Sequence, residues 1–425
     1  MVLQINGTNV VNTDRSITLG TATPGAPVTG MMRYNSTLPE FQVYDGAAWV
    51  PFKKVVGGSA ATLYAWGNNT GTNSGALGDN SVLDKSSPVS VVGGFTDWVE
   101  VSGGQFHSLA IRANGTLWAW GRAAAGPLGD NSIVEKSSPV SVVGGIVDWV
   151  TAAGGGSHSL AIRANGTLYA WGTNGNGQLG DNSATTASKS SPVVVAGGFT
   201  DWISISASTS HSLGLRANGT IWTWGSNASG LLGDNSATTA SKSSPVQVAG
   251  NFVNCNSISA GTTHNIIVRT DGTAWAWGAN SYGRLGDNTT VSKSSPVQVA
   301  GGIVNWKQVT AGQHSLGVRA NGTLYAWGPA SAGQLGDNSN VPKSSPVLVA
   351  GGFTDWVSTV ANSTFQASLG LRANGTLWSW GFNLDGQLGN GSTQSASSPV
   401  SVVGGFTDWV SIGGGGGSHM LGIRG

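Results

Sequence analysis

At 425 residues the chain is long enough for two or three ordinary domains, and only 9% of it is charged, with 67 glycines and 18 tryptophans. Such aromatic richness at low charge excludes an intrinsically disordered chain. A net charge of +1, with no block of like charges, excludes a nucleic-acid or anionic-lipid footprint built on clustered Lys and Arg. Cys255 is the only cysteine, so an intrachain disulfide is excluded and the redox compartment is left open. No apolar run is long enough to span a bilayer, and the first six residues lack the basic-then-apolar pattern of a signal peptide. Synthesis in a cytoplasm without a recognisable export signal is the expectation.

In chain order, residues 1–29 read as an extended arm and linker. Apolar residues alternate within a polar stretch from Ile5 to Leu19, and Thr21 to Thr29 is rich in Pro, Gly and Thr. Residues 30–56 read as a small β module. They carry Gly30-Met31-Met32-Arg33-Tyr34-Asn35, then Phe41-Gln42-Val43-Tyr44-Asp45-Gly46, then Trp49-Val50-Pro51-Phe52. This succession resembles a β module of tailed-bacteriophage tail fibres and related virion proteins, and the resemblance covers about 25 residues. It implies attachment to other virion proteins through residues 1–56, with Arg33, Tyr34, Phe41, Tyr44 and Trp49 as the attachment residues. So short a polar β segment cannot bury a core alone. Pairing with other chains is therefore expected, in a homo-oligomer such as a trimer.

From residue 60 to 425 one unit repeats. Its anchor is an aromatic strand ending in Trp-Gly, at Trp66, Trp120, Trp171, Trp224, Trp277, Trp327 and Trp380, spaced 50 to 54 residues apart. Between anchors come Gly-x-Leu-Gly-Asp-Asn, Lys-Ser-Ser-Pro-Val, a Gly-Gly turn, Asp-Trp, and His-Ser-Leu-x-(Ile/Leu/Val)-Arg. Asn-Gly then joins two apolar runs, which predicts a type I′ hairpin with positive φ at both residues. Four strands per unit, repeated radially, predict an all-β, seven-bladed propeller of four-stranded blades. The first unit lacks a His-Ser-Leu strand and the last lacks an aromatic strand, so pairing the two ends completes a blade and closes the ring.

Gly-Gln-Leu-Gly-Asp-Asn, Ser-Ser-Pro-Val and His-Ser-Leu-Ala-Ile-Arg resemble the repeats of the regulator of chromosome condensation family, over about 85% of the chain. That resemblance implies the propeller. It leaves function open, since the family includes nucleotide-exchange factors, a plant ultraviolet photoreceptor and secreted inhibitors of β-lactamase. The photoreceptor's Gly-Trp-Arg-His-Thr motifs are absent: Gly103 to Ser108 reads Gly-Gly-Gln-Phe-His-Ser, and Ala260 to Asn265 reads Ala-Gly-Thr-Thr-His-Asn. The basic tail of the chromatin-binding member is likewise not expected here.

Most chemically capable residues are repeat residues. All six histidines (107, 158, 211, 264, 314 and 419) occupy one slot, whereas a catalytic histidine needs a unique neighbourhood. Asp79, Asp130, Asp181, Asp234, Asp287 and Asp337 supply one carboxylate per unit, explained by Asx turns and too few for calcium, so neither metal nor cofactor is expected. Two tryptophan sets, the anchors and Trp98, Trp149, Trp202, Trp306, Trp356 and Trp409, read as packing between blades, with Cys255 taking the fourth slot of the second set. The remaining acids Asp84, Glu100, Glu135 and Asp385 read as scattered, which argues against a paired-carboxylate glycosidase.

Departures from the repeat are left. The loop after each Trp-Gly varies, and Arg122, Tyr282, Arg284, Phe382 and Asp385 are the candidate ligand-binding residues. The leading expectation is a non-enzymatic virion protein, a tail fibre or surface appendage displayed on the particle. Its propeller would bind a host-surface protein or glycan, or a neighbouring virion protein. A capsid decoration protein and a regulatory or inhibitory protein-binding propeller are the alternatives.

Overall fold

Alternating apolar strands separated by Gly and Asn turns fold as the repeat predicts. The structure, a computed structural model, describes residues 61–425 except 72–73, 184–186, 237, 251, 365, 415–416 and 418. Ahead of them it describes the backbone of residues 4–5, 8–9, 32–35, 40–44 and 49–51. The chain divides into two units, Met1–Gly57 and Gly58–Gly425.

In the first unit, Gln4–Ile5 pairs with Thr8–Asn9, and Met32–Asn35, Glu40–Tyr44 and Trp49–Pro51 form an antiparallel meander. Its register sets Tyr34 opposite Phe41, and Tyr44 opposite Trp49. The remainder of the arm and linker expected over residues 1–29 lies outside the described residues.

The second unit is a ring of seven four-stranded antiparallel blades. Blade 1 runs outward from Trp98–Gly103 on the central axis through His107–Arg112 and Leu117–Gly121 to Lys136–Ser141 at the rim. Blades 2 to 6 repeat that order, their inner strands starting at Trp149, Trp202, Cys255, Trp306 and Trp356. Blade 7 is mixed: Trp409–Gly413 and His419–Arg424 from the end of the chain pair with Thr62–Gly67 and Lys85–Ser90 from its beginning. His419 lies opposite Gly67 and Arg424 opposite Thr62, so closure leaves no sheet edge between the ends.

The core is divided among seven apolar clusters, one at each seam between blades. Each anchor tryptophan is fully buried, and most meet an inner-strand indole, as Trp120 meets Trp98 at 6.4 Å between centroids. At about 25 cal/mol per Å2, burying one such ring contributes on the order of 4 kcal/mol. The second glycine of Gly-x-Leu-Gly exists for this packing. A Cβ on Gly78 would stand 2.6 Å from the Trp120 indole nitrogen of the next blade, and its φ of +67° is itself left-handed.

The Asn-Gly hairpins differ from the predicted type I′ turn. Gly115 has φ 76°, but Asn114 is not left-handed. Gly115 N–H donates to Arg112 C=O at 2.9 Å, and Arg112 N–H donates to Thr116 C=O at 3.0 Å. This is a three-residue loop with the glycine in a bulge. The asparagine is selected as an acceptor: its Oδ1 takes the Thr116 N–H at 3.1 Å and the Thr116 hydroxyl at 2.7 Å.

The turn Asn of Gly-x-Leu-Gly-Asp-Asn locks adjacent rims. Asn80, at φ 61°, donates its N–H to Ser137 C=O on the next blade at 2.8 Å. In blade 6 the Asn is replaced by Gly391, φ 76°, which makes the same bond to Ser86 C=O at 2.8 Å.

Candidate functional site: the loop face

The repeated polar side chains are consumed by the scaffold. Ser108 Oγ donates to Ala76 C=O at 2.8 Å, so its lone pair must accept from His419 Nε2, 2.9 Å away on blade 7. The same link crosses the next seams from His107 to Ser159 and from His158 to Ser212, at 2.8 and 3.0 Å. It continues through His211 to Asn265, His264 to Ser315 and His314 to Ser368, each at 2.7 Å. The proton therefore sits on Nε2, and each Nδ1 is buried without a partner among the described residues. Burial holds these imidazoles neutral, lowering His107, His158 and His314 to about 3, and His211 and His419 to about 4. A general base needs its second nitrogen oriented by a carboxylate or carbonyl, and these have none.

One link is missing, and both of its ends are changed. Blade 6 carries Ala367 in the histidine slot, and blade 7 carries Met420 where the serine would stand; both are fully buried in one apolar cluster. The repeat arginines are likewise occupied. Arg112 binds Asp97 at 2.8 Å and stacks on Phe95 at 4.1 Å, and Arg424 does the same with Asp408 and Phe406. Asp79 accepts the Ser81 N–H at 3.1 Å and sits 3.5 Å from Lys85, as the Asx-turn reading requires.

All five sequence-predicted binding residues lie at one end of the ring, where the loop after each Trp-Gly meets the loop between the two inner strands. They do not converge: Arg122 is on blade 1, Tyr282 and Arg284 on blade 4, Phe382 and Asp385 on blade 6. The Arg122 guanidinium covers Phe106 at 5.0 Å. Arg284 donates to Ser281 C=O at 3.1 Å and to the Thr263 hydroxyl, and burial lowers its pKa. Tyr282 is 60% exposed at φ 65°, a strained backbone for an aromatic residue. Phe382 lines a hollow of about 300 Å3 with Ser331, Ala332, Thr364 and Gln366.

The strain at Tyr282 goes with the loss of a glutamine cap. Where the motif reads Gly-Gln-Leu-Gly, the glutamine Oε1 caps the loop, taking the N–H of Asn176, Ala332 or Asp385 at 2.8 to 2.9 Å. Where Pro127, Leu231 or Arg284 replaces that glutamine, the residue before the first glycine turns left-handed, as Ala125, Ser229 and Tyr282 do; the longer blade 7 loop, with Ala76 in that place, does not follow them at Ser74.

On the axis lies a polar cavity of about 390 Å3, lined in part by Glu100, Ser102, Thr151, Ser206, Ser259 and Thr310. Glu100 Oε1 accepts from the Thr151 hydroxyl at 2.6 Å and from Ala152 N–H at 3.0 Å, tying blade 1 to blade 2. Across the loop face the longer blade 6 loop reaches past blade 5: Ser363 C=O takes the Thr262 hydroxyl of blade 4 at 2.6 Å, and Asn362 donates to Gly417 C=O of blade 7.

Closure also corrects the reading of the remaining acids as scattered. Asp385 of blade 6 faces Asp84 of blade 7. Burial and then the Asp84 carboxylate raise the Asp385 pKa, while a bond to Asn68 lowers it. Glu135 occupies on blade 1 the place Asp84 has on blade 7, one residue before the rim strand. The signal was available in the complementary ends, which put units far apart in the sequence side by side.

Comparison with known proteins agrees with this architecture. A family model described as the RCC1-like domain matches residues 62–421. The human E3 ubiquitin-protein ligase HERC2 is 26% identical over 246 residues, 57% of this chain and 5% of HERC2. The ultraviolet-B receptor UVR8 of Arabidopsis thaliana is 27% identical over 247 residues, 57% of this chain and 54% of the receptor. The chain thus matches about half of the receptor's length and a small part of the ligase. Human WBSCR16 superposes with a TM-score of 0.76 at 20% identity, over 86% of this chain and 99% of that one. Saccharomyces cerevisiae Prp20p gives 0.73 at 22%, over 86% and 91%. At those identities the two structures show the fold alone. None of these proteins is a virion component, so the fibre-like resemblance of residues 30–56 gains no support from them. With the matching family model covering the whole ring from its first blade strand to its last, the chain belongs to the RCC1-like domain family.

Proposed function

We propose that the propeller is a regulatory protein-binding domain, acting on a protein partner in the manner of an exchange factor or an enzyme inhibitor. The observation that carries this is the division of labour among side chains. The repeated His, Asp, Arg and Trp residues are taken up by seams and turns, whereas the loops that vary after each Trp-Gly share one face. A rigid ring with variable loops at one end is a binding scaffold. Relatives of the fold support a protein as the ligand: yeast Prp20p has binding properties towards Gsp1p and histones, and it has been crystallised with Kap60. The test is affinity capture with the full chain, followed by titration of each captured protein. A stoichiometric complex lost on substitution of loop-face residues is expected. Capture of no protein, or a complex insensitive to the loop face, overturns the reading.

A second reading, attachment to a virion through residues 1–56, rests on the resemblance of Gly30 to Phe52 to fibre modules. The in-register pairs Tyr34–Phe41 and Tyr44–Trp49 favour it, since they make these residues one small β meander. A chain lacking residues 1–56 that still joins particles would sink it.

A further inference from the structure

Three consecutive blades carry a non-repeat acid beside exposed aliphatic side chains at the same end, blade 6 in the loop directly after Trp-Gly and blades 7 and 1 just ahead of the rim strand. Blade 6 carries Leu384-Asp385, blade 7 carries Val82-Leu83-Asp84, and blade 1 carries Ile133-Val134-Glu135. Leu384, Leu83, Ile133 and Val134 are each more than 60% exposed. In blades 2 to 5 the corresponding loops hold no acid beyond the repeat aspartate.

The segments follow one another round the rim, Leu384-Asp385 beside Asp84 and Glu135 one blade further on. A Cβ on Gly386 would touch Ser86 Cα at 2.5 Å, which sets the Asp385 loop against the start of the blade 7 rim strand beside Asp84. One seam further, a Cβ on Gly75 would lie 2.7 Å from Lys136 C=O, which sets the blade 7 loop beside Glu135.

Charge on this sector is unbalanced. Lys85 and Lys136 lie 3.5 and 3.9 Å from the turn carboxylates Asp79 and Asp130, and no ion pair involves Asp84, Glu135 or Asp385 among the described residues. Blade 6 has Ala396 where other blades have that lysine. Arg122 of the blade 1 loop is held over Phe106 at 5.0 Å, and counting it these loops still carry five carboxylates against three cations, among exposed aliphatic side chains, which disfavours nucleic acid and anionic bilayers.

We propose that the sector formed by blades 6, 7 and 1 is the docking surface, and that it takes a protein segment presenting Lys or Arg side chains among apolar ones. This deepens the protein-binding reading above and rests on it. Aliphatic contacts supply the buried area, while Asp84, Glu135 and Asp385 set the orientation and the encounter rate.

The probe is a fluorescent amphipathic peptide of Lys and Leu alone, titrated against the full chain by anisotropy, with Glu/Leu and Lys/Ser peptides beside it. Two triple variants are compared, Asp84→Asn/Glu135→Gln/Asp385→Asn and Leu83→Ser/Ile133→Ser/Val134→Ser. Val147→Ser/Val304→Ser, two exposed sites on the opposite end of the ring, is the control. The Lys/Leu peptide is expected to bind the native chain, at least tenfold more weakly to either triple variant and unchanged to the control. The two other peptides are expected to bind at least tenfold more weakly than Lys/Leu. Unchanged thermal unfolding shows that each variant is folded. No binding of the Lys/Leu peptide, binding by the neutralised variant within twofold of the native chain, or equal binding of the Glu/Leu peptide overturns the assignment. Failure here is distinguishable from failure of the broader reading. A partner captured equally by the native and neutralised chains removes the sector and leaves a protein-binding propeller standing.

Discussion

His419 Nε2 lies 2.9 Å from Ser108 Oγ, though 311 residues separate them in the chain, and this bond carries the histidine links of the ring across the closing seam. Six such imidazoles are fully buried, neutral and proton-bearing at Nε2, so protonation must add a charge inside the buried seams.

Acid should therefore unfold the propeller early. The folded values of His107, His158, His211, His314 and His419, about 3 to 4, fall below the ordinary histidine value of 6.5, and His264 is lowered as well, so the unfolded chain binds more protons between them. The stabilisation is fully present above ~6.5 and is lost as pH falls towards the folded values, at about 1.4 kcal/mol per histidine per pH unit. Thermal midpoints measured from pH 7.5 down to 4.5 should fall steeply below pH 6.5. A flat profile there would contradict the buried neutral state.

The gap between blades 6 and 7 supplies a coupling test. Ala367→His alone places an imidazole N–H against Met420 and should cost about 2 kcal/mol or more. Met420→Ser alone loses apolar burial, also about 2 kcal/mol. Together they can form the link seen at the other seams, so a double-mutant cycle from urea unfolding should give a favourable coupling of about 1 kcal/mol or more.

Glycines with near-identical φ separate packing from backbone strain. Gly78→Ala, at φ +67°, drives a methyl into the Trp120 indole and should cost at least ~3 kcal/mol. Gly94→Ala, at φ +68° with nothing within 4 Å, carries the left-handed penalty alone, about 1 kcal/mol. Equal losses in chemical denaturation would remove the seam argument.

At the blade 4 loop, Tyr282→Gly should relieve the left-handed strain and raise stability by about 1 kcal/mol. Differential scanning calorimetry would register it as a higher midpoint.

The blades, the closing strand pair and the seam tryptophans were legible in the sequence because each is fixed by strand periodicity and by a residue type with one packing solution. Asn114 was misread because an Asn-Gly pair serves two loop geometries, and the choice rests on the Thr116 hydroxyl that Asn114 holds. The histidines are recognisable as scaffold from their repetition, but their acceptors are not, since each lies on the neighbouring blade, about 50 residues away for five of them and 311 for His419. The five loop candidates stand out by side-chain type alone, which does not show that Arg284 is bound to Thr263 and Ser281. The acids Asp385 and Asp84 look unrelated along the chain and meet only once the circle is drawn.

Closure through blade 7 also means that the propeller has no privileged beginning. Gly425 N–H donates to Asp408 C=O as Ala113 does to Asp97, and Ala61 C=O receives the Trp98 N–H as Gly115 receives that of Trp149. Measured against the Arg112 to Thr116 loop, Gly425 and Ala61 fill two of its three positions, and a single residue spliced between them would complete it. The break could then be moved to any of the other hairpins, giving rotated chains that enclose the same seven blades.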